Sequence, residues 1–489
     1  MTLSEILHTQ ALRDPEATAL VCEDEAISYG ELDRSSSLLA GWLLQQGLRP
    51  GERVAIHWRN SIEAAQVFFA AFKAGLILVP VSLLLKAPEV AWILGHSQPA
   101  ICFCQPGLAP KVRQAGSDSF CRVLTALPEL ESARASELPA VAEDQPAVLL
   151  YTSGSTAKPK GAIHTHRTLA EVTRLFVEYM FDENDVLLTM TPMMHASGLG
   201  FFLSAIRLGR PAVLLPAFDP ASALDTIERF RCTCTLGLPA LLQFVVEEQV
   251  RSPRDTRALR VVFGAGDRVP VDLQERFATV FGVPLREGFG MSETFPVCVN
   301  SSDASRPGSM GWPLPEVEVR IVDDADRDVP EGTTGEMAVR GAANCIGYWN
   351  DRSATEALLR GGWLHTGDLV SRDREGYLWF QGRRKEIIVH GGGNISPQQV
   401  EEVLYHDLGV LEAGVTGTPD PVYGERVVAV VSLRKGAAIG EQELREHLRT
   451  RLADYKVPER TFFIPELPKN ATGKVHRLSL KSMIGLLVQ

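Results

Sequence analysis

Apolar residues in the first third of the chain follow two alternating patterns. Residues 36–48 and 62–74 have apolar side chains at intervals of three and four, which predicts helices with a buried face. Short runs rich in Val, Ile and Leu lie between and after these segments, and we predict them as strands: 53–56, 76–81, 100–103 and 147–151. Because buried strands that alternate with helices belong to mostly parallel sheets, this region is predicted to form layered α/β subdomains.

The pattern changes near residue 308, where short runs of alternating polarity lie between Gly, Pro and Asp residues. Residues 308–341 are therefore predicted to form a small β-rich subdomain. After Gly382 a compact α+β segment is predicted, with a helix over 397–405, a strand over 427–433 and a helix over 440–452. We therefore predict a fold of the α/β class with a large N-terminal domain, 1–382, and a small C-terminal domain, 383–489.

Composition narrows the class of protein. With 489 residues, of which 45% are hydrophobic and 22% charged, the chain can form several packed globular units. A net charge of −11 disfavours a nucleic-acid-binding surface, which needs clustered Lys and Arg. The longest apolar stretch, 67–81, is interrupted by Lys73 and Gly75 and is too short to span a bilayer. Eight cysteines without metal-ligand spacing, and no secretory signal, predict reduced thiols and a cytoplasmic protein with no integral membrane segment.

The strongest local signal is a loop rich in hydroxyl groups, glycine and lysine, directly after the predicted strand 147–151. Its candidate anion-binding residues are Thr152, Ser153, Gly154, Ser155, Thr156 and Lys160. Glycine lets backbone N–H groups approach an anion, hydroxyls donate hydrogen bonds, and lysine neutralises charge. A helix predicted to start near Thr168 would place the loop between a strand and a helix, as in many phosphate sites. The loop does not fit the Walker A pattern, and a flexible surface turn is the alternative.

This loop resembles the signature loop of the adenylate-forming superfamily, which includes acyl-CoA synthetases, adenylation domains of peptide synthetases and beetle luciferases. The family loop usually has Gly at the position of Ala157. Further segments resemble family motifs and occur in the family's order: 191–195, 263–266, 288–293, 363–368, 382–387 and 468–474. Because the resemblance covers essentially the whole chain, the chain is identified as a member of this superfamily, similar to the AMP-dependent CoA ligases.

The resemblance implies a role for each matching residue. Those implied to bind the nucleotide are Gly264, Ala265, Gly288, Phe289, Gly290, Ser292, Asp368 and Arg383, with Phe289 against adenine and Asp368 on the ribose hydroxyls. Glu293 and Thr152 are implied to hold Mg²⁺, a hard cation that prefers oxygen ligands. His195 is implied to border the acyl pocket. Lys385 is implied to be the hinge of a mobile C-terminal domain, and Lys474 to contact the substrate carboxylate and the α-phosphate.

The implied reaction uses ATP, Mg²⁺ and coenzyme A. A carboxylate attacks the α-phosphorus of ATP, pyrophosphate leaves, and an acyl-adenylate remains. The C-terminal domain then rotates about Lys385, and the coenzyme A thiol enters beside Gly391, Gly392 and Gly393 to take the acyl group. Relatives are often dimers, so the resemblance also allows a homodimer.

The acid substrate is constrained by what the matching motifs lack. Residues 193–203 are apolar and contain no Asp to hold an amino group, which argues against an amino acid. Gly288 stands where malonate-specific relatives have Arg, and residues 286–296 contain no Trp of the kind that narrows the pocket in small-acid relatives. Gly264, Gly266 and Gly288 are expected to leave room for an extended or flat apolar group. We therefore predict a medium-chain or long-chain fatty acid, or an aryl acid.

Coenzyme A is the predicted acceptor, because residues 382–400 contain no insertion of the kind that relatives loading carrier proteins have near the hinge. Three alternatives stay open. They are a stand-alone adenylating enzyme that feeds a carrier protein, a luciferase-like oxidase, and an inactive acyl-binding or nucleotide-binding protein. The intact residues Glu293, Asp368, Arg383 and Lys474 argue against the last of these.

Overall fold

The computed structural model describes residues 1–114, 121–130, 137–152, 158–300, 305–390, 393–407, 409–469 and 475–487. Its helices are α1 (Leu3–Arg13), α2 (Tyr29–Gln45), α3 (Ile62–Lys73), α4 (Ala87–Ser97), α5 (Ala109–Gln114), α6 (His166–Tyr179), α7 (Ala196–Leu208), α8 (Pro220–Phe230), α9 (Pro239–Arg251), α10 (Val271–Phe281), α11 (Arg352–Leu358), α12 (Pro397–Tyr405), α13 (Glu441–Arg449) and α14 (Arg477–Leu487). Its strands are β1 (Thr18–Cys22), β2 (Glu25–Ser28), β3 (Arg53–His57), β4 (Ile77–Pro80), β5 (Ile101–Cys104), β6 (Arg122–Leu124), β7 (Pro146–Thr152), β8 (Lys160–Thr165), β9 (Leu187–Thr189), β10 (Ala212–Leu214), β11 (Cys234–Gly237), β12 (Val261–Ala265), β13 (Leu285–Met291), β14 (Thr294–Val299), β15 (Trp312–Pro313), β16 (Glu318–Val322), β17 (Gly335–Arg340), β18 (Leu359–Arg360), β19 (Trp363–Arg372), β20 (Leu378–Arg383), β21 (Ile388–His390), β22 (Gly393–Ile395), β23 (Val410–Asp420), β24 (Gly424–Leu433) and β25 (Arg460–Phe463).

Two mostly parallel sheets form the body of the N-terminal region. The six-stranded sheet has the order β6-β5-β3-β4-β7-β8, and its edge strand β8 runs antiparallel to β7. The nine-stranded sheet has the order β15-β14-β13-β12-β11-β9-β10-β1-β2, with parallel pairing from β13 to β1 and antiparallel strands at both edges. The prediction of layered α/β subdomains with mostly parallel strands is confirmed.

One continuous apolar core joins the two sheets. It contains Ile56 from β3, Phe263 from β12 and side chains of the helices between them, including Phe68, Phe69 and Phe72 of α3. These three rings are fully buried, since α3 lies within the protein and nine of its twelve residues are buried. Burial of one such side chain contributes roughly 1.5–3 kcal/mol. The core therefore holds the two sheets, and the strand ends of each, in a fixed relation.

A third sheet and a fourth sheet follow along the chain. The third has the order β16-β17-β19-β18, with β20 beside β19, and confirms the β-rich subdomain while extending it beyond the predicted end at residue 341. The fourth has the order β22-β21-β24-β23, with β25 beside β24, and its core includes side chains of α12, α13 and α14. The predicted helices 397–405 and 440–452 correspond to α12 and α13. The domain boundary between residues 382 and 383 stays a prediction.

The placement of the phosphate loop between a strand and a helix was wrong. The residues after the loop form β8, which pairs antiparallel with β7 and sets Thr152 opposite Lys160. Helix α6 begins only at His166, after its N-cap Thr165. The loop therefore connects the two strands of a hairpin. The sequence pattern did not reveal β8, because only two of its six residues, Ala162 and Ile163, are apolar.

The cysteines are as the composition predicted. All eight lie in described residues, and none forms a disulfide; seven are buried and Cys121 is partly exposed. Within the described ranges, no helix combines the length and the apolar character needed to cross a bilayer.

Candidate functional site

The base of the β7–β8 hairpin places two of the predicted phosphate-binding residues side by side. Thr152, the last residue of β7, is the cross-strand partner of Lys160, the first residue of β8. The predicted ligands Ser153, Gly154, Ser155 and Thr156 lie outside the described residues. Beside the hairpin, Trp92 donates from Nε1 to the Pro159 carbonyl at 3.0 Å, and the Lys158 ammonium lies 4.2 Å from the centroid of that indole ring. Packing thus fixes one flank of the loop.

Glu293, the predicted magnesium ligand, is a buried carboxylate with 4% of its surface exposed. Its Oε1 accepts a hydrogen bond of 2.6 Å from the Tyr348 hydroxyl. Burial raises the pKa of Glu293, while the Tyr348 hydroxyl and the Arg383 charge oppose that rise. Glu293 is therefore a carboxylate whose negative charge needs nearby positive charge, which is the property expected of a cation ligand.

The backbone around Glu293 is held by His164 of β8 and by Cys345. His164, fully buried in β8, donates from Nε2 to the Ser292 carbonyl at 2.7 Å. Burial lowers the pKa of His164 to about 4, so this ring is neutral at physiological pH. The Cys345 amide donates to the Glu293 carbonyl at 2.7 Å. The hairpin that carries the phosphate loop and the turn that carries Glu293 are thus one connected unit.

The predicted ribose contact and the predicted nucleotide arginine are brought together. Asp368 of β19 and Arg383 of β20 are cross-strand partners, and Arg383 Nε lies 3.1 Å from Asp368 Oδ1. The negative charge of Asp368 raises the pKa of Arg383. It also raises the pKa of Glu293, whereas the positive charge of Arg383 lowers it. Since these influences fall off with distance, Asp368, Arg383 and Glu293 belong to one electrostatic cluster.

The predicted adenine-binding residues lie at the carboxyl ends of two adjacent parallel strands. Ala265 of β12 pairs in register with Gly288 of β13, and Phe289 and Gly290 follow directly. Ligands of open α/β sheets bind at the carboxyl ends of strands, so this position suits a nucleotide base. Ser292 follows β13 and lies beside Glu293.

The expectation that Gly264 leaves room for the acyl group was wrong. A Cβ atom at Gly264 would lie 2.6 Å from Val269 Cγ2, so that space is already filled by a core side chain. A Cβ at Gly288 would meet its nearest neighbours at 3.7 Å, an ordinary contact distance. Gly266 has a φ of +90°, a conformation that favours glycine for backbone reasons. Packing therefore requires a glycine at 264, and the backbone conformation favours one at 266.

His195 is the N-cap residue of α7 and is half-buried. Within the apolar stretch 193–203, only residues 195–197 are half-buried, and the remainder belongs to the core. The turn before His195 is held by Asn60, a buried residue that sequence reasoning missed. Asn60 accepts from the Met193 amide at 2.7 Å and donates to the Thr191 carbonyl at 3.0 Å. Most of the apolar stretch 193–203 therefore packs inside the protein.

The C-terminal segment is docked on the N-terminal body by ion pairs. Arg268 Nη2 lies 2.7 Å from Glu402 Oε1, and His406 Nδ1 lies 3.0 Å from Asp272 Oδ1. A further pair joins Arg434 to Glu247 at 2.5 Å. Lys385 lies between β20 and β21, at the junction of the third and fourth sheets.

Three predicted residues of the C-terminal segment lie outside the described residues: Gly391, Gly392 and Lys474. The neighbouring Gly393 begins β22. On either side of the Lys474 loop, Lys469 and Val475 form an antiparallel bridge. After it, Arg477 donates to both Glu386 and Glu401, at 2.8 Å and 2.7 Å. These contacts tie the flank of the lysine loop to the residue after the predicted hinge.

A buried carboxylate that the sequence motifs did not identify lies beside the adenine strands. Glu287 of β13 is 3% exposed, and Gln274 Nε2 donates to its Oε2 at 3.4 Å. Burial raises the pKa of Glu287 to about 8, partly offset by the Arg268 charge. Glu287 is therefore protonated at neutral pH in the folded protein.

We expect Glu287 to make stability depend on pH. The unfolded chain releases this proton above about pH 4.3, whereas the folded protein keeps it up to about pH 8. Stability should therefore fall as the pH rises between these values. Glu287→Gln removes this titration. Between about pH 5 and about pH 8.5, the free energy of unfolding should therefore fall by roughly 2–4 kcal/mol less in Glu287→Gln than in the wild type. Urea unfolding at both pH values measures the difference. Exposed Glu275→Gln is the control, and equal losses in wild type and Glu287→Gln would contradict the prediction.

The chain matches two protein-family models. The family model described as AMP-binding enzyme matches residues 7–349, and the model of the AMP-binding enzyme C-terminal domain matches residues 399–474. All of the described site residues up to Tyr348 fall within the first match.

Curated relatives match over nearly the full chain. A feruloyl-CoA synthase of Amycolatopsis sp is 34% identical, covering 97% of this chain and 98% of that protein. An indoleacetate–CoA ligase of Aromatoleum aromaticum is 33% identical, covering 99% and 98%. A fatty acid–[acyl-carrier-protein] ligase, ScoC, of Streptomyces coeruleorubidus is 31% identical, covering 98% and 96%. Among solved structures, the anthranilate CoA ligase AuaEII in complex with anthranoyl-AMP has a TM-score of 0.93 at 26% identity, covering 99% of this chain and 97% of that chain.

Proposed function

Because the chain belongs to the AMP-binding enzyme family and is an acyl-CoA ligase of that family, we propose that it adenylates an aryl acid with MgATP and transfers the acyl group to coenzyme A. The observation that carries this proposal is the single cluster formed by Lys160, Glu293, Asp368 and Arg383. It combines cationic groups for phosphates with a buried carboxylate for a cation and a carboxylate for ribose.

An aryl acid is preferred to a long fatty acid for two reasons. The relatives named as feruloyl-CoA synthase and indoleacetate–CoA ligase act on aromatic acids by their names. The space expected beside Gly264 is filled by Val269, so that position does not open a channel for an extended chain. A flat ring needs less depth than an extended chain, and Gly288, where an added Cβ would make only ordinary contacts, leaves room for one. A medium-chain or long-chain fatty acid is the second candidate, favoured by a fatty-acid ligase of Bacillus subtilis at 30% identity.

The residues present fit a magnesium ion. Glu293 and Thr152 supply the hard oxygen ligands that Mg²⁺ prefers, and they lie in the unit that also carries Lys160. When bound, the ion would neutralise phosphate charge. Thr152 and Lys160, at the hairpin base, would bind the β- and γ-phosphates and stabilise the departing pyrophosphate.

The two reaction steps use one site. The substrate carboxylate oxygen forms a bond to the α-phosphorus as the bond to pyrophosphate breaks, and Lys474 offsets the repulsion between these anions. Asp368 and Arg383 orient the ribose and the α-phosphate. The C-terminal domain then turns about Lys385, and the coenzyme A thiolate attacks the acyl carbonyl beside Gly391, Gly392 and Gly393. AMP leaves with the electron pair of the broken acyl–oxygen bond.

We expect opposite effects from the two lysines of the C-terminal domain. Lys474→Ala should slow adenylation by about 10²–10³-fold but spare thioester formation from supplied acyl-AMP, because its charge acts in the first step. Lys385→Ala should spare adenylation and slow thioester formation. Pyrophosphate exchange and thioester release measure the two steps, with the exposed Lys435→Ala as control. Equal loss in both steps for either variant would refute its assigned role.

A substrate panel tests the proposal itself. ATP–pyrophosphate exchange with aryl acids, fatty acids of several lengths and amino acids should give the highest kcat/KM for an aryl acid. Release of AMP should then require coenzyme A, because the thiol removes the acyl group. Transfer to a phosphopantetheinyl carrier protein without coenzyme A would favour the carrier-loading alternative, and a preference for long chains would favour the second candidate.

We further propose a cytoplasmic location, supported by eight cysteines without a disulfide. Recovery of the protein outside the cytoplasmic fraction would contradict it. The family resemblance also allows a homodimer, and sedimentation velocity measures the oligomeric state.

A further inference from the structure

Tyr348 lies between the phosphate hairpin and Glu293, and none of the recognised motifs includes it. Its hydroxyl donates to Glu293 Oε1 at 2.6 Å. The Lys160 ammonium lies 5.2 Å from the centroid of its ring, a distance typical of a cation–π contact. One side chain therefore touches two residues that the proposed reaction assigns to the cation and to the phosphates.

The backbone that carries Tyr348 is bound to β8. The Trp349 amide donates to the Gly161 carbonyl at 2.8 Å, and the Ile163 amide donates to the Gly347 carbonyl at 2.8 Å. The Tyr348 amide donates to Thr355 Oγ1 at 2.9 Å. These bonds fix the ring relative to the exit strand of the hairpin, so the hydroxyl meets Glu293 in a single geometry.

The backbone conformation and the surroundings of Gly347 both require a glycine directly before Tyr348. The φ of Gly347 is +135°, and a Cβ there would lie 2.5 Å from Thr355 Cγ2. A side chain at 347 would separate residues 347–349 from α11 and displace Tyr348. The segment is therefore specified by sterics as well as by hydrogen bonds.

The hydrogen bond from Tyr348 fixes the orientation of the Glu293 carboxylate. A buried carboxylate that accepts a short hydrogen bond from a fixed hydroxyl cannot rotate freely, so the direction of its oxygens is defined. A cation that bridges phosphates needs such a fixed ligand, because its preferred geometry is strict. Without the hydroxyl, Glu293 would have to be oriented by the incoming ion itself.

We propose that Tyr348 is a positioning residue: its hydroxyl orients Glu293 toward the magnesium ion of MgATP, and its ring holds the Lys160 ammonium beside the same phosphates. This inference rests on the proposed function, since it assumes that Glu293 binds the ion. In this role Tyr348 contacts neither the acid nor the nucleotide, but it sets the affinity for the metal–nucleotide complex.

Tyr348→Phe tests the hydroxyl alone, because it keeps the ring and its contact with Lys160. The Mg²⁺ concentration at half-saturation of binding to a non-hydrolysable ATP analogue should rise about tenfold, the usual loss for a hydrogen bond to a charged group. Calorimetry measures this without turnover. Binding of AMP in the absence of metal should be unchanged, and kcat for pyrophosphate exchange at saturating Mg²⁺ should stay within about threefold.

The chain offers a matched control. Tyr179 donates from its hydroxyl to Glu316 at 3.2 Å on the surface, so Tyr179→Phe removes the same kind of bond away from the site and should leave Mg²⁺ dependence unchanged. Thr355→Ala removes the hydroxyl that binds the Tyr348 amide and provides a second variant should Tyr348→Phe unfold; it should shift Mg²⁺ dependence in the same direction by a smaller factor. In a Glu293→Gln background, Tyr348→Phe should add little, because the two residues act as a unit.

The outcomes separate the two claims. If folded Tyr348→Phe binds MgATP analogue with wild-type Mg²⁺ dependence, the positioning role is overturned and the proposed function stands. If Tyr348→Phe weakens metal-free binding of AMP as much as it weakens binding of the ATP analogue with Mg²⁺, the residue is only structural and the inference fails. If the wild type shows no Mg²⁺-dependent nucleotide binding, the proposed function itself fails.

Discussion

The burial of one carboxylate constrains the rest of the site. Glu293 is almost completely removed from water, and a buried negative charge is costly unless donors and positive charges surround it. The protein supplies a hydroxyl from Tyr348 and positive charge from Arg383, with Lys160 beyond the tyrosine ring. A metal–nucleotide complex would complete this set. The site is therefore electrostatically arranged for a ligand that brings positive charge to Glu293 and negative charge to the two basic residues.

Three sheets meet at this cluster, and each contributes a different part of it. The six-stranded sheet supplies the hairpin of β7 and β8, the nine-stranded sheet supplies the strand ends around Gly288, and the third sheet supplies Asp368 and Arg383. The apolar core around α3 fixes the first two sheets to each other. The C-terminal segment contacts the body through the packing of α12 on β20 and through ion pairs at partly exposed residues. Such ion pairs are individually weak, so breaking them costs little.

The general fold and the motif residues were predictable, because both depend on local signals. Apolar runs located β3, β4, β5 and β7, and the motifs located Glu293, Asp368 and Arg383. Residues whose role depends on tertiary contacts were not predictable. Tyr348 and Asn60 act through partners 55 and about 130 positions away, which no local pattern encodes. Strand β8 has too few apolar residues to be recognised, and the filling of the Gly264 space by Val269 depends on how the chain returns after β12.

The central claim is that Glu293 and the β7–β8 hairpin bind one metal–triphosphate complex. A crystal structure with Mg²⁺ and a non-hydrolysable ATP analogue tests it most directly. The account predicts an ion ligated by Glu293, phosphates between Thr152 and Lys160, and ribose hydroxyls bonded to Asp368. A triphosphate bound away from the hairpin, or an ion that does not contact Glu293, would contradict it.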